Sequence, residues 1–301
     1  QGSQSVGMAK EFYEKYSLVK NIFSEADEAI GFNLSKIILD GPISEINLTE
    51  NTQPAIFVVS YSIFSVMKKE FNINLNQANY FAGHSLGEYS ALTCANALQF
   101  KEAVRLLNQR GKSMQEAVPS GEGAMLAVLG LKIEEILEQI NLISINGTCE
   151  VANDNSPGQI VVSGDKDSIQ VLHDSLKKKS IRGVILPVSA PFHCSLMESA
   201  EKKMSKKITE SIFKDPNPPI ISNVTAKAEN EANKIKELLI KQITSKVKWR
   251  ESVEYMIKNG VNEFIEIGPG KILSSLVRRI NKDVNVFNIN SINDITNYIN
   301  K

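Results

Sequence analysis

Apolar residues recur at helical spacing between Thr52 and Lys69, where Ala55, Val58, Val59, Ile63 and Val66 predict one strong helix. A helical pattern with breaks precedes it, from Met8 to about Leu39, and a second long helix is predicted from about Phe100 to Val118. Between the two long helices, Asn79-Tyr80-Phe81-Ala82 is a short apolar run that ends in Gly83 and reads as a strand. Pro119-Ser120-Gly121-Glu122-Gly123 then interrupts the pattern and marks a candidate domain boundary. Beyond it the rhythm changes. Residues 124–129, 150–152, 159–163 and 183–188 read as strands, and residues 133–140 and 165–179 as helices. The middle two strands flank a predicted turn, Asn153-Asp154-Asn155-Ser156-Pro157-Gly158. The order βαββαβ is that of a ferredoxin-like module inserted into the chain. After it, strands at 220–224 and 264–267 alternate with helices, and Gly268-Pro269-Gly270 opens the last major one. Short buried strands alternating with helices predict a parallel α/β sheet.

Composition narrows the function. Lys plus Arg and Asp plus Glu number 34 each, so the formal net charge is zero. That argues against binding nucleic acid or a membrane surface through bulk charge. No apolar run reaches the length of a membrane span. Cys94, Cys149 and Cys194 are an odd, scattered set with neither a disulfide framework nor metal-ligand spacing. The expected setting is a reducing cytoplasm.

Three residues carry candidate chemistry. Gly83-His84-Ser85-Leu86-Gly87 is a G-x-S-x-G sequence placed after a predicted strand and before a predicted helix, as a nucleophile elbow requires. Small residues permit the sharp turn, which exposes the Ser85 hydroxyl. Such a serine needs a base, and the chain has three histidines. His84 adjoins Ser85 on a tight turn, so the two side chains point apart. His173 lies on a helix beside Leu172 and Leu176. His193 follows the last strand of the insert in a loop at a domain junction, and elimination leaves it as the base. No Asp or Glu carries a signature for the third member that fixes an imidazole tautomer, and a backbone carbonyl is the open alternative. Only six of the cations are arginines. Arg110 falls on the apolar stripe of its helix with Ala103, Leu107, Met114 and Ala117, so it must snorkel, pair with an internal carboxylate, or await a substrate anion.

In combination these motifs resemble the malonyl-CoA:acyl carrier protein transacylase family along essentially the whole chain. Gln1-Gly2-Ser3-Gln4 is similar to the family's opening glycine–glutamine loop without its first glycine. Thr52-Gln53-Pro54-Ala55, Gly83-His84-Ser85-Leu86-Gly87-Glu88 and Arg110-Gly111 with Met114-Gln115 follow in the family's order. So do the insert's Asn153 to Gln159, then Pro191-Phe192-His193, and Glu266-Ile267-Gly268-Pro269-Gly270. The resemblance implies Ser85 as nucleophile, His193 as base, and Arg110 as clamp of the malonyl carboxylate. It implies an oxyanion hole from the N–H groups of Gln1 and Leu86, and a histidine oriented by the main-chain carbonyl of Gln242, seven residues before Trp249. The stretch Lys246-Val247-Lys248-Trp249 lacks the proline often found before that tryptophan. Phe192 is expected to narrow the pocket around the acyl α-carbon, and Asn155 to touch substrate.

The implied fold is an α/β-hydrolase-like core with a parallel sheet, from residues 1–119 and 195–301, carrying a ferredoxin-like subdomain at 120–194. The family also has a strand ahead of the Gln1 loop, inside the parallel sheet, which points to a natural protein longer than this sequence. The implied reaction moves malonyl from malonyl-CoA to the phosphopantetheine thiol of holo acyl carrier protein, in fatty acid biosynthesis. It needs no metal or other cofactor, in a cytoplasmic monomer without nucleic-acid or membrane partners. The competing readings are a serine esterase or thioesterase, and an acyltransferase unit of a polyketide synthase. Lys202, Lys203, Lys206 and Lys207 could supply a basic rim for an acidic carrier, or simply be the solvated face of a helix.

Overall fold

The structure, a computed structural model, describes residues 2–143, 146–188 and 190–301. Two long helices form its spine. The helix Thr49–Lys69 is buried at Thr49, from Asn51 through Val59 and again from Ser62 through Met67, as expected of a helix at the centre of a core. The helix Phe100–Glu116 packs along it. They approach closely at Gly111, where a methyl group would lie 2.5 Å from Glu50 Cα and 2.6 Å from Thr49 O. Only glycine allows that spacing, and it brings Arg110 against Gln53. The interrupted pattern near the N-terminus resolves into the helices Lys10–Lys15, Ser17–Ile30 and Leu34–Asp40.

Among the described residues nine strands fall into three sheets. They are β1 (Phe81–Ala82), β2 (Gly123–Leu129), β3 (Cys149–Ser156), β4 (Gln159–Asp165), β5 (Arg182–Ile185), β6 (Ile220–Ile221), β7 (Ala228–Glu229), β8 (Glu263–Ile267) and β9 (Asn285–Ile289). Parallel pairing joins β1 to β6 and β8 to β9, and β7 adds antiparallel to β6. Both β1 and β8 line a cavity of about 1200 Å³, which also receives Ser85, Arg110 and His193. The chain between β2 and β5 builds a four-stranded antiparallel sheet in the order β3-β4-β2-β5. The helices Ile133–Leu142 and Lys166–Lys178 bury Ile136, Ile169, Leu172 and Leu176 against Leu126, Val128, Ile160 and Val162, giving this sheet a small core of its own.

One expectation needs correction. The predicted six-residue turn from Asn153 is a turn only at Pro157-Gly158, because β3 runs on to Ser156. Register shifts between Val151 and Asn153, and between Asp154 and Ser156, let polar residues continue the strand. Residues Asn153 to Ser156 are buried there, against the larger body. Asp154 N–H donates to Val247 O and Val247 N–H to Ala152 O, so β3 is stitched to the segment ahead of Trp249. Arg250 reinforces the seam by grasping the Asp154 carboxylate with Nε and Nη2.

Among the described residues no helix is long and apolar enough to cross a membrane.

Candidate active site

Ser85 sits between β1 and the helix Gly87–Cys94 at φ 53°, in the left-handed region. The turn closes so tightly that a methyl group on Gly83 would lie 1.9 Å from Gly87 O. Asn223, just past β6, bridges it: Ser85 N–H donates to Asn223 Oδ1 at 2.6 Å, and Asn223 Nδ2 donates to Gly83 O at 2.8 Å. A strained conformation persists when its surroundings over-determine it, and these two bonds do that. The Leu86 N–H, at the mouth of the helix, has no partner among the described residues. It is free to face an oxyanion, with the helix N-terminus behind it. Gln1, the other expected donor, lies outside the described residues.

His193 also has a left-handed φ, 59°, and its imidazole reaches Ser85. The Ser85 Oγ to His193 Nε2 distance is 2.8 Å, and His193 Nδ1 lies 2.8 Å from Gln242 O. A carbonyl only accepts, so Nδ1 carries the proton and Nε2 offers its lone pair to the serine hydroxyl. Burial lowers the pKa of His193 to about 3, helped by the nearby charge of Arg110. The ring is therefore neutral at ordinary pH. His84 points elsewhere: its Nε2 lies 2.8 Å from Asn155 Oδ1, and its ring rests 5.8 Å from that of Trp249. Burial lowers its pKa to about 4. His173 packs at β5, beside Gly183.

Arg110 is 1% exposed and does not snorkel. Its Nη1 donates to Gln53 Oε1 at 2.7 Å, and its Nη2 to Gln242 Oε1 at 2.9 Å and to Ser85 Oγ at 3.1 Å. The Nε is buried with no partner. Among the described residues Arg110 neither snorkels nor bonds an internal carboxylate directly. A buried guanidinium with neutral partners and a spare N–H, next to a nucleophile, is suited to a substrate carboxylate. Burial lowers its pKa, against the attraction of Tyr89 and Glu88.

The sequence-predicted residues Ser85, His193, Arg110 and Gln242 thus meet at one point. Phe192 and Asn155 line the same cavity, and Asn155 is also tied to His84. Gln53, Asn223 and Glu88 were not foreseen in any role. Glu88 is fully buried, which pushes its carboxyl up to about 7 despite hydrogen bonds from Asn223 and Gln242. A partial signal existed for Gln53, which falls within the apolar stretch that Arg110 packs against. Of the four lysines, Lys203 pairs with Glu116 and Lys206 with Glu210, as on a solvated helix face.

Comparison with known proteins places this geometry. The acyl transferase domain family matches residues 1–295. The malonyl CoA-acyl carrier protein transacylase of Bacillus subtilis is 43% identical over 284 residues, spanning 94% of this chain and 88% of that protein. The chain belongs to the malonyl CoA-acyl carrier protein transacylase family. Solved structures agree with that membership in fold. The acyl-carrier-protein-S-malonyltransferase of Bartonella henselae superposes with a TM-score of 0.96 at 40% identity, covering 100% of this chain and 96% of that one. A malonyl-transacylase solved in complex with its type II PKS acyl-carrier protein gives 0.95 at 36% identity, covering 100% and 96%. As in these transacylases, the chain is a mixed α/β protein.

Proposed function

We propose that this protein transfers malonyl from malonyl-CoA to the phosphopantetheine thiol of holo acyl carrier protein, through a malonyl ester on Ser85, in fatty acid biosynthesis. The observation that carries the reading is the shared hydroxyl: Ser85 Oγ lies 2.8 Å from the imidazole and 3.1 Å from the Arg110 guanidinium.

In the first half-reaction Arg110 takes the malonyl carboxylate. Burial, helped by that guanidinium's charge, holds His193 a weak base, and the substrate carboxylate offsets the charge. His193 Nε2 accepts the Ser85 proton while Oγ attacks the thioester carbonyl. The carbonyl oxygen becomes an oxyanion facing the Leu86 N–H and, from the family resemblance, that of Gln1. Each such donor is worth about 10²–10³ in rate. The C–S bond breaks, the CoA sulfur leaves with the proton from His193, and the ester remains. In the second half the carrier thiol gives its proton to His193 and attacks the ester. The C–O bond breaks, and Ser85 regains the proton. Gln242 keeps the ring in the Nδ1–H tautomer throughout, and Phe192 borders the acyl α-carbon.

The same reading extends to architecture. Residues 1–119 and 195–301 form an α/β-hydrolase-like body, and residues 120–194 a ferredoxin-like subdomain whose strand order supports it. The protein acts as a cytoplasmic monomer without a metal or other cofactor. An esterase would have no use for a buried arginine beside its nucleophile. Intact-mass analysis after brief exposure to malonyl-CoA tests the central step. The expected result is a malonyl adduct on the wild type and none on Ser85→Ala. An adduct that persists on Ser85→Ala, or one that hydrolyses rapidly without carrier, defeats the reading.

A further inference from the structure

Glu88 follows the elbow directly, and the chemistry above makes no use of it. It is 1% exposed and does not border the cavity. Its Oε2 accepts from Asn223 N–H at 3.1 Å and from Gln242 Nε2 at 2.8 Å. On the far side of the same amide, Gln242 Oε1 accepts from Arg110 Nη2 at 2.9 Å. The Gln242 side chain is thus held between a buried anion and a buried cation, its NH₂ toward one and its carbonyl toward the other. A flipped amide would set NH₂ against guanidinium and carbonyl against carboxylate, so the two charges lock one orientation. A third bond, from Gln242 Nε2 to Ser85 O at 3.1 Å, is satisfied only in that orientation.

This arrangement answers a conflict in the site. A buried guanidinium without a compensating charge is costly. A carboxylate bonded to it directly, however, would fill the place a substrate carboxylate must take. Setting the charge one amide away keeps a competing carboxylate off the guanidinium, whose bonds all run to neutral groups and whose Nε is buried and unpartnered.

We infer that Glu88 is a positioning residue for carboxylate recognition: through the Gln242 amide it holds Arg110 in the orientation that receives the acyl carboxylate. The inference rests on the malonyl reading above. Acetyl transfer uses the same Ser85 and His193 but has no carboxylate to place, so the two acyl groups separate this role from a merely structural one.

The test follows Ser85 acylation by intact mass at pH 8, without carrier protein, using malonyl-CoA and acetyl-CoA separately. Glu88→Gln keeps the shape and removes the charge. The malonyl rate is expected to fall about 10–100-fold, the scale of a lost hydrogen bond to a charged group. The acetyl rate should change little, so the malonyl-to-acetyl ratio falls by about tenfold or more. In an Arg110→Ala background the Glu88 change should add nothing further to the malonyl loss. A ratio that stays constant while both rates drop overturns the inference, as does a ratio that rises, or a full additional loss in the Arg110→Ala background. Should Glu88→Gln show no melting transition, Glu88→Asp goes through the same assay. It keeps the charge but shortens the side chain, withdrawing the carboxylate from the Gln242 amide. A lowered ratio supports the inference and an unchanged one overturns it. Wild-type protein that takes up no malonyl sinks the parent reading, and this inference with it, before Glu88 enters.

Discussion

The body around Ser85 and the antiparallel sheet at residues 123–185 treat polar groups in opposite ways. The body gathers Glu88, Arg110, Asn223 and Gln242 into its interior, with His193 brought in from the loop after the sheet, all at most 4% exposed. The sheet's own core is entirely aliphatic, and its buried polar run, Asn153 to Ser156, sits at the seam with the body rather than in that core. The sheet follows the ordinary rules of local structure: alternating strands, amphipathic helices, an Asp165 cap that accepts from Ser168 N–H. The body breaks those rules where it buries the charged groups Glu88 and Arg110 beside Ser85. Violations of local rules concentrated in one place mark a functional site.

Three substitutions or conditions would sharpen or break this contrast. The largest effect is expected from Arg110→Ala, which should lower malonyl transfer by about 10²–10⁴ while acetyl transfer stays unchanged or rises. Equal loss on both thioesters in a steady-state assay would contradict a carboxylate clamp. Next comes Leu126→Ala in the sheet. The side chain is fully buried, and its truncation should cost about 2–5 kcal/mol in denaturant unfolding. Per folded molecule, acylation of Ser85 should remain near wild type. A large loss of acylation in protein that is still folded would show that the sheet's core is not separable from the site.

The smallest effect concerns pH. His84 and His193 have folded pKa values of about 4 and about 3, against an ordinary 6.5. Their contribution to stability is complete above 6.5 and is lost as pH falls toward 3. Glu88 works the other way. Its pKa is raised from 4.5 to about 7, so its contribution is complete below 4.5 and is lost as pH rises through 7. The melting temperature should therefore fall as pH drops from 6.5, more steeply below 4.5 where the Glu88 offset has ended. A midpoint that holds level between pH 6.5 and 4 would contradict the buried neutral state of the two rings.

Much of this site was legible in the sequence, and the reasons differ by residue. Ser85 was readable because the elbow is a local device whose glycines sit within two positions of the serine. His193 was reachable only because so few histidines compete. Arg110 stood out as a charge on an apolar stripe. Asn223 gave no signal, since it lies in a loop after a two-residue strand and its role depends on contact with residues far away in the chain. Glu88 looked like any acid in the first turn of a helix, and only tertiary packing buries it. In the fold, the long helices and the inserted sheet were legible from periodicity. The strand β9 and the terminal helix Ile292–Ile299 were not read, because their short, Asn-rich stretches have weak patterns. The extension of β3 was missed because Asn, Asp and Pro normally announce a turn.

What stands behind the His193 ring is part of the peptide chain itself. Every amino acid supplies that oxygen, so no exchange of side chain at position 242 can delete it, and no acid can protonate it within the range where the protein folds. The imidazole's alignment is therefore answerable to the path of the backbone alone, and a lesion there would have to bend the chain rather than alter a functional group.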